Sequence, residues 1–213
     1  MSDRPAARRI PLAFACLLLA LLTASACGPR TSGKLVGHTR PIPKQVGGLS
    51  MSEARLGKPD TTFTFRAKRG GLLFVFFGFT NCPDLCPTTL GDLRKALRKV
   101  GPGADKVDVA FVTVDPGRDS SEAMARYLGS FFTGGHPLRP ADNEQLLAVQ
   151  AAFGAASSVT RKADGDVDVA HTALSYLVDE HGAVLLEWDY GTSPADLAHD
   201  LRLLLARNAG GTK

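Results

Sequence analysis

The chain has 213 residues, 44% of them apolar, which allows one domain with a buried core and excludes a disordered polymer. Its 22 glycines and 13 prolines follow no period, which excludes collagen-like and low-complexity classes. The formal charge is only +4, half of it from Arg4, Arg8, Arg9 and Asp3 at the start, so no nucleic-acid partner is indicated.

The first 26 residues read as a targeting segment. Arg4, Arg8 and Arg9 form a basic region, Ile10 to Leu22 an apolar one, and Ala24-Ser25-Ala26 a small-residue cleavage signal. The apolar stretch is shorter than the roughly 20 residues a spanning helix needs. Cys27 follows directly, and the segment resembles a bacterial lipobox, with Ala24 where Leu is common. That resemblance implies a lipidated Cys27 as mature N-terminus and a membrane anchor on the extracytoplasmic face. Ala24-Ser25-Ala26 would also serve an ordinary signal peptidase. Residues 27–55, rich in Gly, Pro, Ser, Thr and Lys, are expected to be a flexible tether.

The domain is expected over 56–208, with a short tail at 209–213. Thr61 to Phe65 alternates as a short strand would. Leu72 to Phe79 is a continuous apolar run, suited to a central strand covered on both faces. Pro87 opens a helix with Leu90, Leu93, Leu97 and Val100 on one face, stopped at Gly101-Pro102-Gly103. Val107 to Val114 predicts a second buried strand. A helix capped by Ser120 or Ser121 is expected through Phe132, and another capped by Asp142 through Phe153. Asp164-Gly165-Asp166 is a hairpin turn signal. Leu174 to Val178 and Val184 to Trp188 predict two more strands. Ser193-Pro194 starts a last helix carrying Leu197, Leu201, Leu204 and Leu205. A βαβ unit, further helices, a strand pair and a final helix predict the α/β class, in a thioredoxin-like sandwich with a central mixed β-sheet flanked by helices.

The chemistry concentrates in Gly78-Phe79-Thr80-Asn81-Cys82-Pro83-Asp84-Leu85-Cys86-Pro87. Cys16 leaves with the targeting segment and Cys27 is the lipidation candidate, so Cys82 and Cys86 are the thiols of the folded domain. At i and i+4 both sulfurs share one helix face and reach one point, which suits either a disulfide or a soft metal ion. A staple closing so small a loop would constrain little of the unfolded chain. A helix N-terminus favours thiolates, the reactive and metal-binding form. A metal would need a third ligand. His38 falls in the tether, His136 in a loop before Pro137, His181 in a turn and His199 on the last helix. His171 lies in apolar surroundings, where a lone His is commonly a core or edge residue. Asp84 either caps the helix start or orients the site. Asp115 and Asp119 cap a turn and the next helix, with Arg118 able to pair with either.

The cysteine element resembles the signature of the SCO/SenC family, thioredoxin-fold copper proteins of cytochrome oxidase assembly. Val114-Asp115-Pro116-Gly117-Arg118-Asp119, Tyr127, Phe131, His171-Thr172 and Tyr176-Leu177-Val178-Asp179 resemble further family elements, over about residues 50–208. Leu138-Arg139-Pro140 departs from a common Leu-Thr-Gly. The resemblance implies that Cys82, Cys86 and His171 bind copper, as Cu(I) or Cu(II), with Asp84 and Asp115 as neighbouring carboxylates. It implies a chaperone rather than an enzyme, delivering copper to the CuA centre of cytochrome c oxidase subunit II, with another copper carrier as possible donor. The alternatives are a tethered thiol–disulfide oxidoreductase using Cys82 and Cys86, or a redox or copper sensor. A peroxidase fits poorly: Phe79 stands where a peroxiredoxin has Thr, and the single tryptophan, Trp188, lies in a late strand.

Overall fold

A computed structural model describes residues 33–210; the targeting segment, Cys16, the lipidation candidate Cys27 and residues 211–213 lie outside the described residues. Among the described residues, nine strands and four α-helices follow in chain order. They are β1 (Ser50–Glu53), β2 (Thr61–Thr64), β3 (Leu72–Gly78), α1 (Leu85–Val100), β4 (Val107–Thr113), α2 (Ser121–Gly129) and β5 (His136–Arg139). Then come α3 (Asn143–Phe153), β6 (Ser157–Arg161), β7 (Val167–His171), β8 (Ser175–Val178), β9 (Val184–Trp188) and α4 (Pro194–Gly210).

Seven strands form one mixed sheet in the order β2-β1-β5-β4-β3-β8-β9, and β6 pairs with β7 as a separate hairpin. β3 runs parallel to β4 and antiparallel to β8, which places it inside the sheet. Every residue of β3 is buried, as its unbroken apolar run requires. Alternate side chains serve the two faces. Phe74 stacks on Trp188 and Phe76 meets Phe111, while Phe77 meets Phe153 of α3 and Tyr176. Burying each such ring contributes about 1.5–3 kcal/mol, so this strand anchors the fold. α1 and α4 pack on each other, with Leu90, Leu93, Ala96 and Val100 as the buried stripe of α1. The expected sandwich is present.

Caps fix the helix limits. Ser120 Oγ accepts from Ala123 N at 3.1 Å and Asp142 Oδ1 from Gln145 N at 2.8 Å. α2 ends at Gly129, three residues before the expected Phe132, where Ser130 N and Phe131 N donate to the carbonyls three residues back, Tyr127 and Leu128, and tighten the last turn.

Two expectations change. His136 opens β5 rather than lying in a loop. Pro137 lacks an N–H and reads as a strand breaker, yet its carbonyl accepts from Ala54 N at 2.8 Å, so it enters the ladder as an acceptor only. The described part of the expected tether is docked on the domain. His38 bridges Glu187, Gln45 bridges Ala183, Val46 is fully buried and Ser50–Glu53 forms β1. Asp200, with no exposed surface, accepts from Val36 N, Gly37 N and Trp188 Nε1, each at 2.9 Å. Arg40 and Lys44 both hold the buried Glu187.

Candidate metal centre

The end of β3, the start of α1 and the end of β7 converge on one point. Cys82 precedes α1, Cys86 is its second residue, and His171 closes β7 opposite Ser157. Each of the three offers a ligand atom within 4.8 Å of the other two. Cys86 Sγ lies 3.9 Å from His171 Nε2, and Cys86 N donates to Cys82 Sγ at 3.3 Å. Both cysteines are free thiols, Cys86 buried and Cys82 half-buried.

The imidazole is oriented for ligation. His171 Nδ1 lies 3.0 Å from the Thr172 carbonyl, which can only accept, so Nδ1 carries the proton and the Nε2 lone pair faces Cys86. Phe76 and Phe79 flank the ring edge-on, each at 6.0 Å. Burial lowers the His171 pKa, with the Thr172 bond partly opposing it, which keeps the ring neutral.

Burial pushes the Cys86 thiol well up, helped by its hydrogen bond with Cys82. Desolvation there opposes the thiolate form that the helix end favours. A metal ion would have to displace that proton.

Packing beneath the sulfurs is tight. A Cβ at Gly78 would lie 2.7 Å from both Cys86 Sγ and Phe111 Cε2. The loop after Gly78 is held by Asp119, which is fully buried. Asp119 accepts from Thr80 N at 3.1 Å, Thr80 Oγ1 at 2.5 Å and Thr113 Oγ1 at 2.6 Å. Asp119 thus ties the cysteine loop to β4, where the sequence suggested only a cap. Arg118 pairs with Asp115 and sits 6.0 Å above the Phe79 ring. Tyr127, tilted against Phe111 with ring centroids 5.4 Å apart, buries a hydroxyl that has no hydrogen-bond partner among the described residues.

The two carboxylates expected near the site sit differently. Asp84 is exposed and accepts from Thr88 Oγ1 at 3.1 Å, making no side-chain bond to the helix-start backbone. It lines an open groove of about 420 Å³ with Cys82, His171 and Tyr190. Asp115 is buried against Arg118. The other described histidines are engaged elsewhere: His38 with Asp189, His136 with Glu53, His199 with the Lys34 carbonyl and His181 with Glu180.

The model of the SCO1/SenC family matches residues 56–206. The chain belongs to the SCO1/SenC family. It is 32% identical over 168 residues to the mitochondrial SCO2 homolog of Danio rerio, covering 75% of this chain and 59% of that protein. The chain spans less than two thirds of the length of curated relatives such as this one. Among solved structures, Bradyrhizobium japonicum ScoI with copper bound is 32% identical with a TM-score of 0.61, covering 72% of this chain and 96% of that one. Apo Sco1 from Thermus thermophilus is 28% identical with a TM-score of 0.67, covering 83% and 99%. The thioredoxin-like sandwich of this SCO1/SenC member agrees with these neighbours.

Proposed function

We propose that this SCO1/SenC protein binds copper through Cys82, Cys86 and His171 and delivers it to the CuA centre of cytochrome c oxidase subunit II. The observation that carries this reading is the cluster of one ligand atom from each residue within 4.8 Å. Two thiolates and a neutral imidazole are a soft donor set suited to copper. The copper-bound ScoI neighbour supports the same choice. Three donors beside an open groove leave room for a partner's thiolates to take the ion by ligand exchange. Asp84, on the groove wall, is placed to influence the approach of a partner.

Lipidation at Cys27 would hold the folded domain at the extracytoplasmic membrane surface, near such a partner. No helix among the described residues is long and apolar enough to cross a membrane. A second reading is favoured by the two free thiols side by side: reduction of a partner's disulfide by Cys82 and Cys86.

The test is copper titration of the reduced chain and of His171→Ala. Under the copper reading, His171→Ala loses the thiolate-to-Cu(II) charge-transfer absorption and keeps dithiol redox activity. Equal copper binding without His171 would overturn the three-ligand site. No copper uptake by the reduced chain would put the reductase first.

A further inference from the structure

A second concavity lies away from the cysteines. A cleft of about 640 Å³ opens between the C-terminal half of α1, the start of β4 and the turn after α2. This volume falls in the range of small-molecule sites, roughly 300–1,000 Å³. Its wall is apolar: Leu97 from α1, Val107 and Val109 from β4, and Phe131 and Phe132 after α2. Two arginines stand over this wall. Arg94 and Arg98 are four apart on α1, so they share one face, and neither has a carboxylate partner among the described residues. The third cation, Lys68, is taken by Asp108 at 2.8 Å, and Asp108 also faces His136. Asp105, exposed at the rim, is the one unpaired carboxylate of the cleft. Two free guanidinium forks above an aromatic wall suit a ligand with an anionic head and an apolar body.

We propose that this cleft binds a small organic carboxylate bearing an apolar chain or ring, at a site separate from the cysteine centre. The head group lies between Arg94 and Arg98, and the apolar body packs on Phe131, Phe132 and Val109. Guanidinium is well matched to a carboxylate because both are planar and form paired hydrogen bonds. Asp105 weakens the field without closing the site, so it sets a modest affinity.

The test uses 4-phenylbutanoate as probe in calorimetric titration of the full chain. Saturable binding at one site is expected, with the neutral 4-phenylbutanamide weaker by about tenfold or more, as loss of charge-assisted pairing implies. Arg94→Gln combined with Arg98→Gln should weaken the acid by about tenfold as well, and leave the amide unchanged. Asp105→Asn should tighten the acid by about two- to threefold, a sign that a merely structural role would not produce. Phe132→Ala should weaken acid and amide alike. Absence of saturable 4-phenylbutanoate binding at millimolar concentration overturns the proposal. So does equal binding of acid and amide, or acetate binding as tightly as the probe.

Discussion

Cys86 Sγ occupies the space that a side chain on Gly78 would need: a Cβ there would lie 2.7 Å from the sulfur. The same Cβ would lie 2.7 Å from the Phe111 ring, so neither neighbour can retreat toward the other. Gly78→Ala is therefore expected to cost about 1–3 kcal/mol by overpacking. It should weaken copper uptake more than a surface substitution of equal stability cost, because the strain falls on a proposed ligand. Denaturant midpoints and copper titration read the two effects. Unchanged copper affinity would show that Cys86 shifts freely.

Asp119 braces the other side of the cysteine loop. With no exposed surface itself, its carboxylate satisfies three donors, two from half-buried Thr80 and one from fully buried Thr113. Asp119→Ala is expected to destabilise by about 3 kcal/mol or more, leaving those donors unpaired. Thr80→Val removes only the hydroxyl contact and should cost about 1 kcal/mol. Hydrogen exchange at the Thr80 amide should speed up in Asp119→Ala. If it does not, the brace is dispensable.

These braces mark where sequence reading stopped. β3, α1 and β4 were legible because continuous apolar runs and a 3.6-residue stripe determine them locally. Cys82 and Cys86 were legible for the same reason, lying between two readable elements. Asp119 was visible as a cap candidate, but its partner Thr80 is 39 residues away and no local pattern links them. His171 stood out only through family resemblance, since one His at the end of a half-exposed hairpin strand carries no periodic signal. The docked segment before β1 was misread as tether for a similar reason: its order comes from Asp200, 164 residues from Val36.

Asp200 offers a direct check on that segment. Asp200→Ala removes the acceptor for Val36 N, Gly37 N and the buried Trp188 indole. A loss of about 3 kcal/mol or more is expected, with a change in fluorescence of the chain's single tryptophan. Limited proteolysis should then cut within residues 33–46. A chain that stays resistant there would mean that Glu187, with Arg40 and Lys44, holds the segment alone.

Copper loading should depend on pH through Cys86. Its thiol is pushed up by burial, so the proton is still bound at neutral pH and leaves when the metal arrives. Release of the Cys86 proton alone makes copper affinity fall about tenfold for each unit of falling pH, and a second thiol proton displaced by the metal steepens the slope further. His171 adds nothing to this slope near neutrality, because burial lowers its pKa and keeps it deprotonated. Competition titrations at several pH values, with proton release measured in weak buffer, read the slope. A flat profile would mean that Cys86 is already a thiolate.

His136 gives the fold a separate pH response. Burial works against its charge, but the carboxylates of Asp108, at 3.9 Å, and Glu53, at 2.8 Å, outweigh that and raise its pKa. A raised folded-state value means the folded chain holds the proton more tightly than the unfolded one. The stabilisation is fully present below the ordinary His value of about 6.5 and is lost as pH rises through the folded value. His136→Gln should therefore lose more stability against the parent at about pH 5 than at about pH 8. Glu53→Gln, which keeps the ring but removes its partner at 2.8 Å, should shrink the same difference. Urea midpoints of the three proteins at both pH values read this out, and an equal loss at both would mean that the imidazole contributes as a neutral ring through its tilted contact with Phe63, 4.5 Å between centroids.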